Sequence, residues 1–124
     1  MIYKIDTSEN VVAFRALAEV TKEDFQRVVV PAIEQIIKEI NEINFLLLLD
    51  TDIQNFTVGA WLEDAMIGLK HLGKWNRAAI VCDSDAIISF TNGFSYIAPG
   101  EFRGFKKEAL NKALNWVEGN SILN

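Results

Sequence analysis

Asp50 and Asp52 bracket the end of one apolar run, and Asp83 and Asp85 follow the end of another. Carboxylates at strand ends are where Mg²⁺ or phosphate chemistry often sits in α/β sheets. Metal-dependent phosphotransfer would also need a third oxygen ligand and a lysine, with all four acids on one edge. Carboxylates that cap loops and helix starts produce the same pattern more commonly. His71 is the sole histidine, the side chain whose ordinary pKa lies nearest neutrality. Acid–base work would demand a substrate cleft and an orienting carboxylate. Asp64 lies seven residues earlier, two turns along one helix face and out of direct reach. A position near a helix C-terminus, favoured by the dipole, accounts for His71 without catalysis. Cys82, the single cysteine, ends the run 78–81 and reads as a small buried hydrophobe rather than a reactive thiol. No nucleophile–base set, glycine-rich phosphate cradle or metal-ligand spacing occurs. The expectation is no catalytic residue, no cofactor, no metal and no enzyme.

The elements that position these residues follow from the apolar pattern. Phe45-Leu46-Leu47-Leu48-Leu49 is unbroken until Asp50, which marks a strand buried on both faces, as in a parallel sheet covered by helices. The sequence predicts strands over 2–7 and 11–20 around the polar turn 8–10. Val12, Phe14, Ala16, Ala18 and Val20 fall on one face, with Arg15 and Glu19 on the other. That describes a hairpin with one wet face, at the edge of the sheet. Thr21 opens a helix with capping-box spacing to Asp24, and Phe25, Val28, Val29, Ala32, Ile33, Ile36, Ile37 and Ile40 keep its period. Pro31 predicts a kink or two abutting helices. Asn41-Glu42 ends the element. A helix is expected from 57 or 58 to 72, stopped by Gly73, and a buried strand over 77–82. Ser84 can cap a short helix interrupted near Asn92-Gly93, and a last strand spans 101–105. The final helix, 106–118, carries Ala109, Leu110, Ala113, Leu114 and Val117 on one stripe and stops at Gly119.

The order β-β-α-β-α-β-α-β-α implies an α/β fold with a mostly parallel, mixed sheet after an N-terminal hairpin. The 124 residues read as one domain, 1–119, with a disordered tail at 120–124. A net charge of −5 and the absence of a Lys/Arg cluster argue against nucleic acid as a partner. The lone basic doublet, Lys106-Lys107, reads as solvated. With no signal segment and no apolar run near 18 residues, no transmembrane segment is expected and a cytoplasmic location is the default.

Specific residues carry a resemblance. Thr21, Asp24, Phe25 and Pro31 form a helix start followed closely by proline, and Asp50 and Phe56 end an apolar strand and add an aromatic. Lys70-His71, Trp75 and Arg77-Ala78-Ala79-Ile80-Val81 follow, then Phe105, Ala113 and Trp116. This series, from about 20 to 117, resembles the SpoIIAA-like family of small bacterial proteins, within the STAS-type fold of anti-sigma-factor antagonists. That resemblance implies a fold related to lipid-carrying CRAL-TRIO (Sec14-like) domains and a biochemical role that is generally unassigned. Anti-sigma antagonists carry Asp-Ser-Ser-Gly with a phosphorylated serine at the helix after the central strand. Here the stretch is Phe56-Thr57-Val58-Gly59-Ala60, without serine, and Thr57 reads as a helix cap.

The mid-chain aromatics give the remaining expectation. Most belong to the core, but Phe56, Trp61, Met66, Phe90, Phe94 and Tyr96 are candidates to line a ligand pocket or an interface. An interface is favoured, because a domain this small has little volume to spare once its core is packed. The functional expectation is therefore a non-enzymatic protein-interaction or regulatory module. It would be a homodimer, joined through 57–72 and the flanking loops. The alternative is a small carrier of an apolar, lipid-like ligand in a pocket lined by those aromatics.

Overall fold

Strands β1 (Ile2–Ile5), β2 (Val12–Ala16), β3 (Ile43–Leu49), β4 (Trp75–Val81) and β5 (Glu101–Phe105) lie side by side in chain order. They belong to a computed structural model that describes residues 1–50, 73–97 and 100–119. β1 runs antiparallel to β2, while β2, β3, β4 and β5 are parallel. Helices α1 (Lys22–Ile40) and α2 (Asp85–Phe94) pack on one face of the sheet, and α3 (Leu110–Glu118) packs on the other. The expected mixed, mostly parallel sheet with an N-terminal hairpin is thus present. The helix expected over 57–72 and the tail 120–124 lie outside the described residues.

β3 is the element whose environment is most fully dictated by its residues. All seven of its side chains are buried: Phe45, Leu47 and Leu49 under α1, and Leu46 and Leu48 under α3. On the first face Phe14, Phe45, Trp75, Phe102, Phe94 and Phe90 form a row across β2, β3, β4, β5 and α2. Successive ring centroids in that row stand 5.0–5.9 Å apart. Large rings contribute much of the apolar burial in a domain of this size, and their tilted and edge-on contacts add to it.

Five expectations are corrected. The second strand stops at Ala16 because Ala18 takes a left-handed φ of 52°, which a continuing strand forbids. Its far face is not wet either: Val11 and Ala13 are buried beneath the second layer, and Arg15 alone of Val12–Ala16 reaches solvent. α1 is one helix and not two abutting ones. Pro31 sits on its exposed side, where the carbonyl it leaves unpaired, that of exposed Arg27, can turn to water. α2 continues through Asn92-Gly93 to Phe94, whose ring is buried edge-on against Phe102. The last helix begins as a 3-10 turn over Lys107–Ala109 before α3.

The helix ends behave as their residues require. The Thr21 hydroxyl accepts from the Asp24 amide at 3.0 Å, and the Asp24 carboxylate accepts from the Thr21 amide at 3.3 Å. Asn41, at φ 60°, closes α1, and Gly119, at φ 88°, closes α3.

Candidate functional site

The carboxyl edge of the sheet gathers charge from four separate parts of the chain. Arg15 is the exposed exception in β2, and Asp50 directly follows β3 on the same side of the sheet. Asp83 follows β4, and Lys106 and Lys107 follow β5. Because β2, β3, β4 and β5 are parallel, their carboxyl ends share one edge, which brings these groups together.

Asp50 is held at both carboxylate oxygens. Arg15 donates to Oδ2 through Nε at 2.9 Å and through its second terminal nitrogen, and Lys107 Nζ donates to Oδ1 at 2.9 Å. The remaining Arg15 nitrogen donates to the Tyr3 hydroxyl at 3.0 Å. Lys107 also stands 3.6 Å from Asp83, and Lys106 pairs with Asp85 at 2.6 Å. The arginine and lysine hold the Asp50 carboxyl below the usual carboxylate range, and Asp50 in turn raises Lys107. Asp85 is lowered by Lys106 in the same way. The side chain of Asp50 is only 29% exposed, so this pair of cations also shields it from water.

Of the sequence candidates, Asp50 and Asp83 do meet, on Lys107. Asp85 sits next to them on Lys106, and Ser84 caps the helix it begins, accepting from the Ile87 amide at 3.3 Å. Asp52 and His71 lie outside the described residues. The basic doublet is therefore engaged in ion pairs and not merely solvated. The Arg15–Asp50 contact was not anticipated, although an arginine in a strand whose other residues are all buried was the signal for it. Among the described residues no three histidine, cysteine, aspartate or glutamate side chains gather to hold a metal ion. Cys82 is buried, and that burial raises its thiol pKa, so it is protonated at neutral pH.

Phe90, Phe94 and Tyr96 do not share one environment. Phe94 is in the core and Phe90 packs against it, whereas Tyr96 is 92% exposed beside the exposed Ile97. Phe56, Trp61 and Met66 lie outside the described residues.

At the opposite, amino end of the sheet lies a polar cluster that sequence reasoning missed. Asn44 is 2% exposed, and its amide nitrogen donates to the Asn10 carbonyl at 2.9 Å and to Glu42 at 3.0 Å. Its oxygen accepts from Asn76 at 2.8 Å. Two of its three partners, Asn10 and Asn76, are more than 30 residues away, so the local sequence does not mark Asn44 as buried.

A family model described as SpoIIAA-like matches residues 11–118. The chain belongs to the SpoIIAA-like family. An uncharacterised SpoIIAA-like-fold protein of the DUF3478 family from Shewanella loihica is similar to it, at 28% identity and a TM-score of 0.63. That match covers 94% of this chain and 92% of the other. No curated protein matches it. Among the described residues of this SpoIIAA-like chain, no helix is long and apolar enough to cross a membrane.

Proposed function

We infer that this SpoIIAA-like protein is a non-enzymatic interaction or regulatory module that self-associates and lacks the phosphorylatable serine of anti-sigma antagonists. The observation that carries this reading is the state of the carboxyl edge, where chemistry would sit in such a sheet. Asp50, the least exposed of its described acids, is committed through both oxygens to Arg15 and Lys107, while Asp85 pairs with Lys106 and Asp83 only approaches Lys107. A carboxylate held in this way is a poor general base, because its pKa is lowered and its lone pairs are occupied. It serves better to fix the point at which the chain leaves β3 and enters the segment that follows. The packed row of rings supports the same reading, since Phe94 is sealed against Phe102 and Phe90 lies against Phe94.

Native mass spectrometry of protein purified gently from its own host tests the reading. The expected spectrum is a dimer of two unmodified chains. An added mass of a few hundred daltons, lost on organic extraction, would overturn it and make the protein a carrier of an apolar ligand.

A further inference from the structure

The two edges of the sheet are not equivalent. In β5 the Phe105 carbonyl accepts from the Cys82 amide of the neighbouring chain segment, so Phe102 and Gly104 direct their amides outward. Each outward amide is closed by a side chain at or just beyond the end of α2. Ser95 Oγ accepts from Phe102 at 3.0 Å, and Asn92 Oδ1 accepts from Gly104 at 2.9 Å. Edges covered in this way cannot template another strand.

β1 has no such cover among the described residues. The Met1 carbonyl accepts from the Leu17 amide, which makes Tyr3↔Arg15 and Ile5↔Ala13 the hydrogen-bonded pairs of the hairpin. The Ala16 carbonyl accordingly faces β3, where it accepts from Asp50. Ile2 and Lys4, opposite Ala16 and Phe14, therefore turn their amides and carbonyls away from the sheet. Asp6 directly follows β1, and a strand lengthened by one residue on pairing would turn it outward too. Lys4 and Asp6 are both exposed and two residues apart, so an extended backbone sets them on one side of the sheet; both border an open cleft of about 480 Å³ between the hairpin and α1.

We propose that β1 pairs antiparallel with β1 of a second copy of this chain, about a two-fold axis at Ile5, with Lys4 opposite Asp6 of that copy. An antiparallel pair joins outward-facing residues to outward-facing residues, so the registers open to this edge are few. The one centred on Lys4 sets two lysines face to face. The one centred on Ile5 sets Lys4 against Asp6 twice, on the same side, with the two Ile5 side chains meeting on the other. Opposite charges across a ladder stabilise it and like charges oppose it. A two-fold contact uses the same patch on both copies, which this self-complementary stretch provides. The inference rests on the self-association read above and moves the contact from residues 57–72 to the hairpin edge. The carboxyl edge is then left for a different partner.

A lysine on an edge strand is also a common guard against pairing, and the experiment separates the two roles. Sedimentation equilibrium would be run on the full chain and on Lys4→Asp, Asp6→Lys, the double swap and Lys4→Pro. Each single swap is expected to weaken the dimer roughly tenfold or more by setting like charges opposite each other. The double swap should restore it. Lys4→Pro removes an outward amide that β2 does not use, and should yield folded monomer by circular dichroism. Should that variant fail to fold, the charge swaps decide alone. A dimer indifferent to these changes overturns the β1 contact and leaves the interaction module standing. Stronger association in Lys4→Asp shows a guard and overturns it. A wild-type monomer overturns it as well, and an extractable ligand on that monomer would overturn the module reading itself.

Discussion

Asp50 has an ordinary side chain in an unusual setting, with a guanidinium on one oxygen and an ammonium on the other. Its carboxyl is lowered in the folded protein, first by Arg15 and then by Lys107. A lowered folded pKa means that the group stabilises the fold above its unfolded pKa. That stabilisation fades as the pH falls through the folded value. Replacing Asp50 with Asn should therefore cost the most near neutrality, about 3 °C in Tm, the scale of a roughly 1 kcal/mol ion pair in a domain of this size. Thermal melts from pH 7 down to pH 2 check this. The gap between wild type and variant should close on the acid side of about pH 4, the ordinary carboxylate range. A gap that stays constant would mean that Asp50 acts through packing alone. Asp83 is 68% exposed and reaches Lys107 only at 3.6 Å, so its removal should matter far less.

Among the elements, a tight constraint joins α2 to β5. A Cβ added at Gly104 would lie 2.7 Å from the Ile88 Cα, a backbone atom that cannot swing aside. The same close approach lets Asn92 reach the Gly104 amide. Gly104→Ala should push the helix off the strand and cost about 1–3 kcal/mol, as overpacking generally does. Chemical denaturation measures that loss, and an unchanged midpoint would show that α2 floats over the strand. The continuation of α2 through Asn92-Gly93 belongs to this scale too. A weak helix segment persists because Phe94 is buried and Asn92 is bonded beyond it, so tertiary contacts outweigh local propensity.

For the molecule as a whole, the contrast between edges makes a prediction of its own. Gly104 and Phe102 amides are bonded within one chain, whereas the outward Lys4 amide, uncovered among the described residues, would be bonded across the proposed two-fold axis. Hydrogen exchange at Lys4 should therefore slow as protein concentration rises through the dimer range, while exchange at Gly104 stays constant. Concentration-independent exchange at Lys4 would place the contact between copies elsewhere.

Wherever residue pattern and environment coincide, the chain alone was enough. The unbroken run ending at Leu49 can only be a strand covered on both faces, and β5 emerged with its ends at 101 and 105. Thr21 with Asp24 and Asn41 set the limits of α1, because caps act through hydrogen bonds a few residues long. The family likeness was legible for the same reason, being carried by short ordered motifs. Tertiary structure decided everything that depends on distant neighbours. Arg15 and Lys107 reach Asp50 across 35 and 57 residues, and parallel strand order alone makes them adjacent. The burial of Asn44, the dry far face of β2 and the tolerance of Pro31 likewise depend on what packs beside them. No local pattern encodes those neighbours, since apolar spacing reports how a residue repeats along its own element and not what lies across from it.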